Sequence, residues 1–264
     1  MTDYQCLRVS RDDAVEHIEL NRPEALNAWN AEFGAELLEA MRSAGGDPTV
    51  RAILISGAGR GFSSGADLKA VRASRPDGTP DLSSRLRDVF NPVIIAIRDA
   101  PKPVVAAVHG AAAGLGCSLA LACDLVVAAE SAYFLLAFVN IGLIPDGGAL
   151  RFLAERVGLV RAAELAMLGD RLPAAKALEW GLVNSVYPDE ELPKAAAELC
   201  RRLAAGPTAA IANIKRTLRE TTQSNLVDQV WIEAGRQQEQ ASTHDFTEGV
   251  MAFLAKRPPQ FRGN

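Results

Sequence analysis

The stretch Pro103-Val104-Val105-Ala106-Ala107-Val108-His109-Gly110-Ala111-Ala112-Ala113-Gly114-Leu115-Gly116-Cys117 is an apolar run that ends in a glycine- and alanine-rich turn. An unbroken apolar run of this length suits a strand buried on both faces. Gly116 to Cys123 follows as a helix-like stretch, and Asp124 to Ala129, with Leu125-Val126-Val127 at its centre, is a further buried strand. A strand, a turn, a helix and another strand in succession define an α/β fold with helices packed on sheets.

The same unit appears on the N-terminal side. Ala14 to Leu20 alternates in polarity and is closed by Asn21-Arg22-Pro23, a turn signal. Ala31 to Met41 places Phe33, Leu37, Leu38 and Met41 at helical spacing, and Gly45-Gly46-Asp47-Pro48 is expected to break that helix. Val50 to Ser56 is a short buried-strand candidate that runs into Gly57-Ala58-Gly59-Arg60-Gly61. Between Ala70 and Asp88 the chain is polar, which suits a mobile segment near a site and equally a plain solvated loop. From Leu192 onward the pattern is helical and charged, and Pro207 and Pro258-Pro259 bracket a helical appendage. A core over residues 1–200 and a helical region over 201–264 are therefore expected.

With 264 residues, 48% hydrophobic and 23% charged, the chain has the composition of an ordinary globular protein. Its formal net charge of −4 argues against a nucleic-acid binder, though a local basic patch for a phosphorylated ligand is compatible with it. Met1 to Ser10 has no signal-like segment, and the apolar runs are too short to span a bilayer. Cys6, Cys117, Cys123 and Cys200 lie far apart, and His17, His109 and His244 are isolated. No metal site is expected, and the thiols suit a cytoplasmic protein.

Three glycine-rich turns stand beside apolar runs: Gly61-Phe62-Ser63-Ser64-Gly65-Ala66-Asp67-Leu68, His109 to Cys117, and Gly142-Leu143-Ile144-Pro145-Asp146-Gly147-Gly148. Two such turns facing one carbonyl oxygen would make an oxyanion hole of backbone N–H groups. The same glycines serve any tight turn between strand and helix, and spacing does not separate the two roles. Asp146 precedes a helix-like run, Ala149 to Val157, and suits an N-cap. It equally suits a carboxylate base whose basicity is raised by Phe138, Ile141, Leu143 and Ile144 around it. His109 is expected to be a satisfied strand-end histidine, and Cys117 to serve packing.

Taken in order, these turns resemble the enoyl-CoA hydratase/isomerase (crotonase) family. Phe62 to Lys69 is similar to its first oxyanion motif, His109 to Asp124 to its second, and Ala137 to Gly148 to its catalytic turn. Asn21 to Ala28 resembles its early coenzyme A-contacting stretch. The resemblance implies a spiral of ββα units with C-terminal helices that complete a homotrimer or a dimer of trimers. It implies that the N–H groups of Ala66 and Leu115 hold a thioester oxygen. By the same resemblance Ala25, Ser64, Asp67 and Leu68 line the coenzyme A path, Phe138 lines the acyl pocket, and Lys256 reaches a coenzyme A phosphate from a neighbouring subunit. No cofactor is implied beyond the coenzyme A carried by the acyl-CoA substrate.

Hydratases of this family carry two glutamates, and this chain has Ser118 and Phe138 at those positions. The resemblance therefore implies an isomerase that moves a proton through a thioester enolate with Asp146 as acid and base. Tyr133 to Gly148 and Gly249 to Gly263 resemble a branch of phenylacetate-pathway isomerases with an aspartate in this turn, some of which also shift a 3-enoyl double bond. The alternatives are a hydratase, a hydrolase or dehalogenase with Asp146 as nucleophile, and a non-catalytic acyl-CoA-binding member with Asp146 as an N-cap.

Overall fold

Leu7–Asp12 (β1) and Val15–Leu20 (β2) pair antiparallel, with Asp13 at a positive φ of 52° between them. This is seen in a computed structural model that describes residues 4–70 and 74–264. The chain then enters α1 (Ala31–Gly46), capped by Asn30, whose Oδ1 accepts the Phe33 N–H at 2.8 Å. Gly45 and Gly46 do not break this helix, because glycine near a helix end costs only about 1 kcal/mol. Asp47 ends it in an extended conformation, as the residue before a proline prefers.

Next come β3 (Ala52–Gly57), α2 (Leu82–Arg85), a π-helical turn at Leu86–Phe90 and α3 (Asn91–Asp99). Of the polar segment, residues 71–73 lie outside the described residues. Ser74 then bridges Pro80 around a tight turn closed by the Gly78 N–H on the Arg75 carbonyl. Two strand–strand–helix units follow. They are β4 (Val104–Val108), β5 (Ala111–Ala113) and α4 (Leu115–Ala122), then β6 (Leu125–Ala129), β7 (Tyr133–Leu135) and α5 (Ala149–Leu168). Gly158, at φ 76° and ψ 165°, kinks α5. The chain continues through β8 (Arg171–Pro173), α6 (Ala174–Glu179), β9 (Ser185–Tyr187), α7 (Leu192–Ala204), α8 (Thr208–Thr221), α9 (Leu226–Ala241) and α10 (His244–Leu254).

Among the described residues, one sheet has the order β1-β2-β3-β4-β6-β9 and is parallel from β2 onward. Its strands alternate between two apolar layers, as the two-residue strand period dictates. Ile53, Ile55, Val104 and Ala106 pack with the core that includes α1, α3 and α4. Ala52, Leu54, Val105 and Ala107 pack with Leu192, Ala196, Cys200 and Ala204 of α7. Because both faces are covered, every residue of β4 is buried. A division between residues 200 and 201 would cut α7, which belongs to these layers.

The smaller sheet, β5-β7-β8, turns the chain toward the glycine-rich loops. Ser63 bridges Ala112 in parallel, so the loop after β3 and the strand leading into α4 run side by side. The C-terminal helices are anchored by buried Lys215 of α8, whose Nζ lies 2.8 Å from Asp124 Oδ2 and donates to the Ile97 and Lys102 carbonyls. No described helix is long and apolar enough to cross a membrane.

Candidate active site

Asn27, fully buried at a φ of 53°, organises the first loop. Its Nδ2 donates to the carbonyls of Ala58, Gly61 and Phe62, at 2.9–3.1 Å. Its own carbonyl accepts the Ser63 hydroxyl at 2.8 Å, and Ser63 Oγ in turn accepts the Gly65 N–H at 3.2 Å. A buried polar network with its groups paired in this way is rigid. The sequence reading did not single out Asn27 or Ser63. The available signal was an asparagine in a turn, a residue type that tolerates positive φ.

The loop then passes Trp29. The Trp29 N–H donates to the Gly65 carbonyl at 2.8 Å and the Asp67 N–H to the Trp29 carbonyl at 2.9 Å, leaving the Ala66 N–H between them. Trp29 is held by Phe33 and Phe90, with ring centroids at 5.0 and 5.5 Å. On the other strand, Gly114 caps α4 and Leu115 is its first residue, whose N–H points out of the helix start without an intrahelical partner. Among the described residues, neither the Ala66 N–H nor the Leu115 N–H finds an acceptor. Gly65, at φ 91°, brings the two strands together: a Cβ there would stand 3.1 Å from the Leu115 nitrogen. Two free amides on adjacent backbones are what a thioester oxyanion requires.

Ala25, Ser64 and Asp67 lie along the same loop. The Ser64 hydroxyl contacts the Ala25 carbonyl at 3.4 Å, and Asp67 Oδ2 lies 3.5 Å from Arg22 Nη2. Leu68, 60% exposed, opens the short 3-10 turn beyond them. Lys256 is exposed past the end of α10, and among the described residues no hydrogen bond or ion pair joins it to these residues.

Asp146 sits in the third turn. The sequence allowed it to cap α5, but Gly148 is the N-cap, and Asp146 makes no side-chain capping bond. Instead its Oδ1 is buried without a hydrogen-bond partner. Burial alone raises the carboxyl pKa from 3.8 to about 6. The origin of that burial differs from the sequence expectation. Phe138 is buried, whereas Ile141, Leu143 and Ile144 are 55%, 39% and 79% exposed. The opposite wall is α4, since the Ser118 hydroxyl donates to the Asp146 carbonyl at 2.9 Å. The structure thus gathers Asp146, Phe138, Ser118 and Leu115 around the start of α4, next to Ala66.

The residues expected to be structural are so. His109 Nε2 lies 2.9 Å from the Gly59 carbonyl, and burial pushes the Cys117 thiol up to about 12. An apolar groove of about 720 Å³ between α8, α9 and α10 shares no residue with this site. Among the described residues, no cluster of His, Cys, Asp and Glu is arranged to hold a metal ion.

Residues 10–264 match the family model described as enoyl-CoA hydratase/isomerase, and the chain belongs to that family of enzymes. It is similar to the 1,2-epoxyphenylacetyl-CoA isomerase of Escherichia coli K12, 43% identical over 92% of this chain and 93% of that one. It is also similar to the 2,3-dehydroadipyl-CoA hydratase of the same strain, 35% identical over 97% and 98%. A crystal structure from Mycobacterium abscessus, described as belonging to the same family, superposes with a TM-score of 0.91. It is 38% identical and covers 98% of this chain and 100% of that one.

Proposed function

We propose that this chain is an acyl-CoA isomerase that works through a thioester enolate with Asp146 as the single acid and base. The observation that carries the reading is the half-buried Asp146 carboxyl, its Oδ1 enclosed and unpartnered, near the free N–H groups of Ala66 and Leu115. With a 3-enoyl thioester, the oxygen accepts from both amides and Asp146 removes a proton from C2. The C–H electron pair moves into the enolate, and negative charge collects on the oxygen between the amides. The hole stabilises this charge more than it stabilises the neutral thioester, so it lowers the barrier. Protonated Asp146 then returns the proton at C4, and the double bond ends at C2–C3.

The likeness to an epoxyphenylacetyl-CoA isomerase supports extending the substrate class to ring-epoxide thioesters. Coenzyme A enters as part of the substrate, along Ala25, Ser64, Asp67 and Leu68, with Phe138 against the acyl group. Lys256 would serve a neighbouring subunit's coenzyme A in a homotrimer or a dimer of trimers.

Hydration is the second reading, favoured by the likeness to hydratases. Against it, Ser118 and Phe138 offer no carboxylate to hold and deprotonate a water molecule. The deciding experiment is α-proton exchange by NMR in deuterated buffer with a 3-enoyl-CoA, comparing the parent with Asp146→Asn. Loss of exchange by about 10²-fold or more with thioester binding retained is expected. Unchanged exchange would overturn the assignment. Incorporation of ¹⁸O from labelled water into a 2-enoyl-CoA would favour the hydratase.

A further inference from the structure

We infer that Ser118 is a positioning residue for Asp146, locking the base's turn onto the same helix that supplies the Leu115 N–H; this rests on the isomerase reading above. Leu115 and Ser118 stand three residues apart on α4 and so share a face of the helix. The Ser118 hydroxyl has one proton and two acceptors in range, the Asp146 carbonyl at 2.9 Å and the Gly114 carbonyl at 3.4 Å. The shorter contact takes the proton.

Packing reinforces the link. Gly147, at φ 59°, lies so close to α4 that a Cβ would stand 2.9 Å from both Leu115 Cδ1 and Ser118 Cβ. The turn is therefore pinned by a hydrogen bond at the Asp146 carbonyl and by close packing at the next residue, Gly147. One eight-residue helix, buried along its whole length, then fixes the distance between base and oxyanion hole.

The choice of acceptor has chemical consequences. A donor on the Asp146 carboxylate would stabilise the charged form and weaken the base. Ser118 donates to the backbone carbonyl instead, so it fixes the turn and leaves Oδ1 unpartnered. Among the described residues, no charged group is seen to act on the Asp146 carboxyl. On α4 the only titratable group is the buried Cys117 thiol, and the Val139–Ile141 turn carries none. At the start of α5, Arg151 pairs with Glu155 at 2.7 Å. With Ser118 removed the turn would move off α4 and admit water to the carboxyl.

The test compares Ser118→Ala, Ser118→Thr and Asp146→Asn in steady-state turnover of a 3-enoyl-CoA across pH. S118A is expected to lower kcat by about 10- to 100-fold, since small misplacements of a reacting group cost that much. KM should stay within a few-fold of the parent, and the acid-side midpoint of kcat/KM should move down by about one pH unit as the carboxyl is rehydrated. S118T, which keeps the hydroxyl, should recover most of the rate and the parent midpoint. If S118A does not fold, Ser118→Cys takes its place, because a thiol fills the space and donates weakly. An inactive D146N with a parent-like S118A, in both kcat and midpoint, overturns the positioning role alone. An active D146N overturns the base assignment and this inference with it.

Discussion

Gly65 and Leu115 are 50 positions apart in sequence and touch through backbone: a Cβ on Gly65 would lie 3.1 Å from the Leu115 nitrogen and 2.7 Å from the Ala113 carbonyl oxygen. The proposed oxyanion hole would therefore be a property of two crossing main chains, and glycine at 65 is what lets them cross. Its φ of 91° also disfavours any other residue. Gly65→Ala is expected to lower kcat/KM at least about 100-fold, comparable to losing one donor of an oxyanion hole. Thermal unfolding should change far less, with about 1–3 kcal/mol of strain introduced. Parent-like turnover by a folded G65A would show that the two amides do not act together.

This crossing also explains what was legible in the sequence. Val104–Val108 and Leu125–Ala129 stand out because parallel strands covered on both faces are apolar throughout. β1 does not, because from Arg8 to Asp12 it is polar except for Val9 and largely exposed. The glycine turns were visible as turns, but the amides of Ala66 and Leu115 carry no side-chain signature. Only the family resemblance could point to them. Asn27 holds three carbonyls from residues 58–62, a long-range role that local pattern does not encode. Asp146 looked like an N-cap because aspartate before Gly-Gly and an apolar run has the right composition. The cap falls two residues later, at Gly148, and so frees the carboxyl.

If Asp146 is the base, as proposed, its raised pKa sets the pH dependence of the reaction. A base must be ionised to accept a proton, and its folded-state pKa is about 6. Activity measured as kcat/KM should rise with pH through a midpoint near that value and level off above it, because this ratio reports ionisations of the free enzyme. A midpoint near the ordinary aspartate value of about 4 would mean that the carboxyl is solvated.

Lys215 ties the C-terminal helices to the sheet layers. Its ammonium contacts Asp124 at 2.8 Å and the carbonyls of Ile97 and Lys102 at 2.8 and 3.1 Å. Asp124 also accepts the Val104 N–H at 2.8 Å, so the network reaches the start of β4. Replacing Lys215 with Met fills the space but leaves the carboxylate and two carbonyls without their donor. A loss of about 3 kcal/mol in urea unfolding is expected, the scale for breaking one side of a buried pair. A loss under about 1 kcal/mol would mean that water replaces the ammonium.

The Asp146 carboxyl should also cost stability, and the size of that cost depends on pH. Folding raises the Asp146 pKa from 3.8 to about 6, so the folded state holds its proton more tightly than the unfolded state does. Well below pH 4 both states are protonated and the group imposes no ionisation penalty. As pH rises through about 6 the folded protein must ionise a desolvated carboxyl, and roughly 2 kcal/mol of stability is lost. Asp146→Asn removes that penalty and leaves the turn's backbone contacts in place. Urea unfolding of D146N and parent, each at pH 4 and pH 8, isolates the effect, since any fixed cost of the amide cancels between the two pH values. The variant should gain about 2 kcal/mol relative to the parent on going from pH 4 to pH 8 while losing its activity, a trade of function for stability common at strained sites. An equal difference at both pH values would mean that Asp146 is hydrated in the folded protein, and the burial that makes it a base would have to be abandoned.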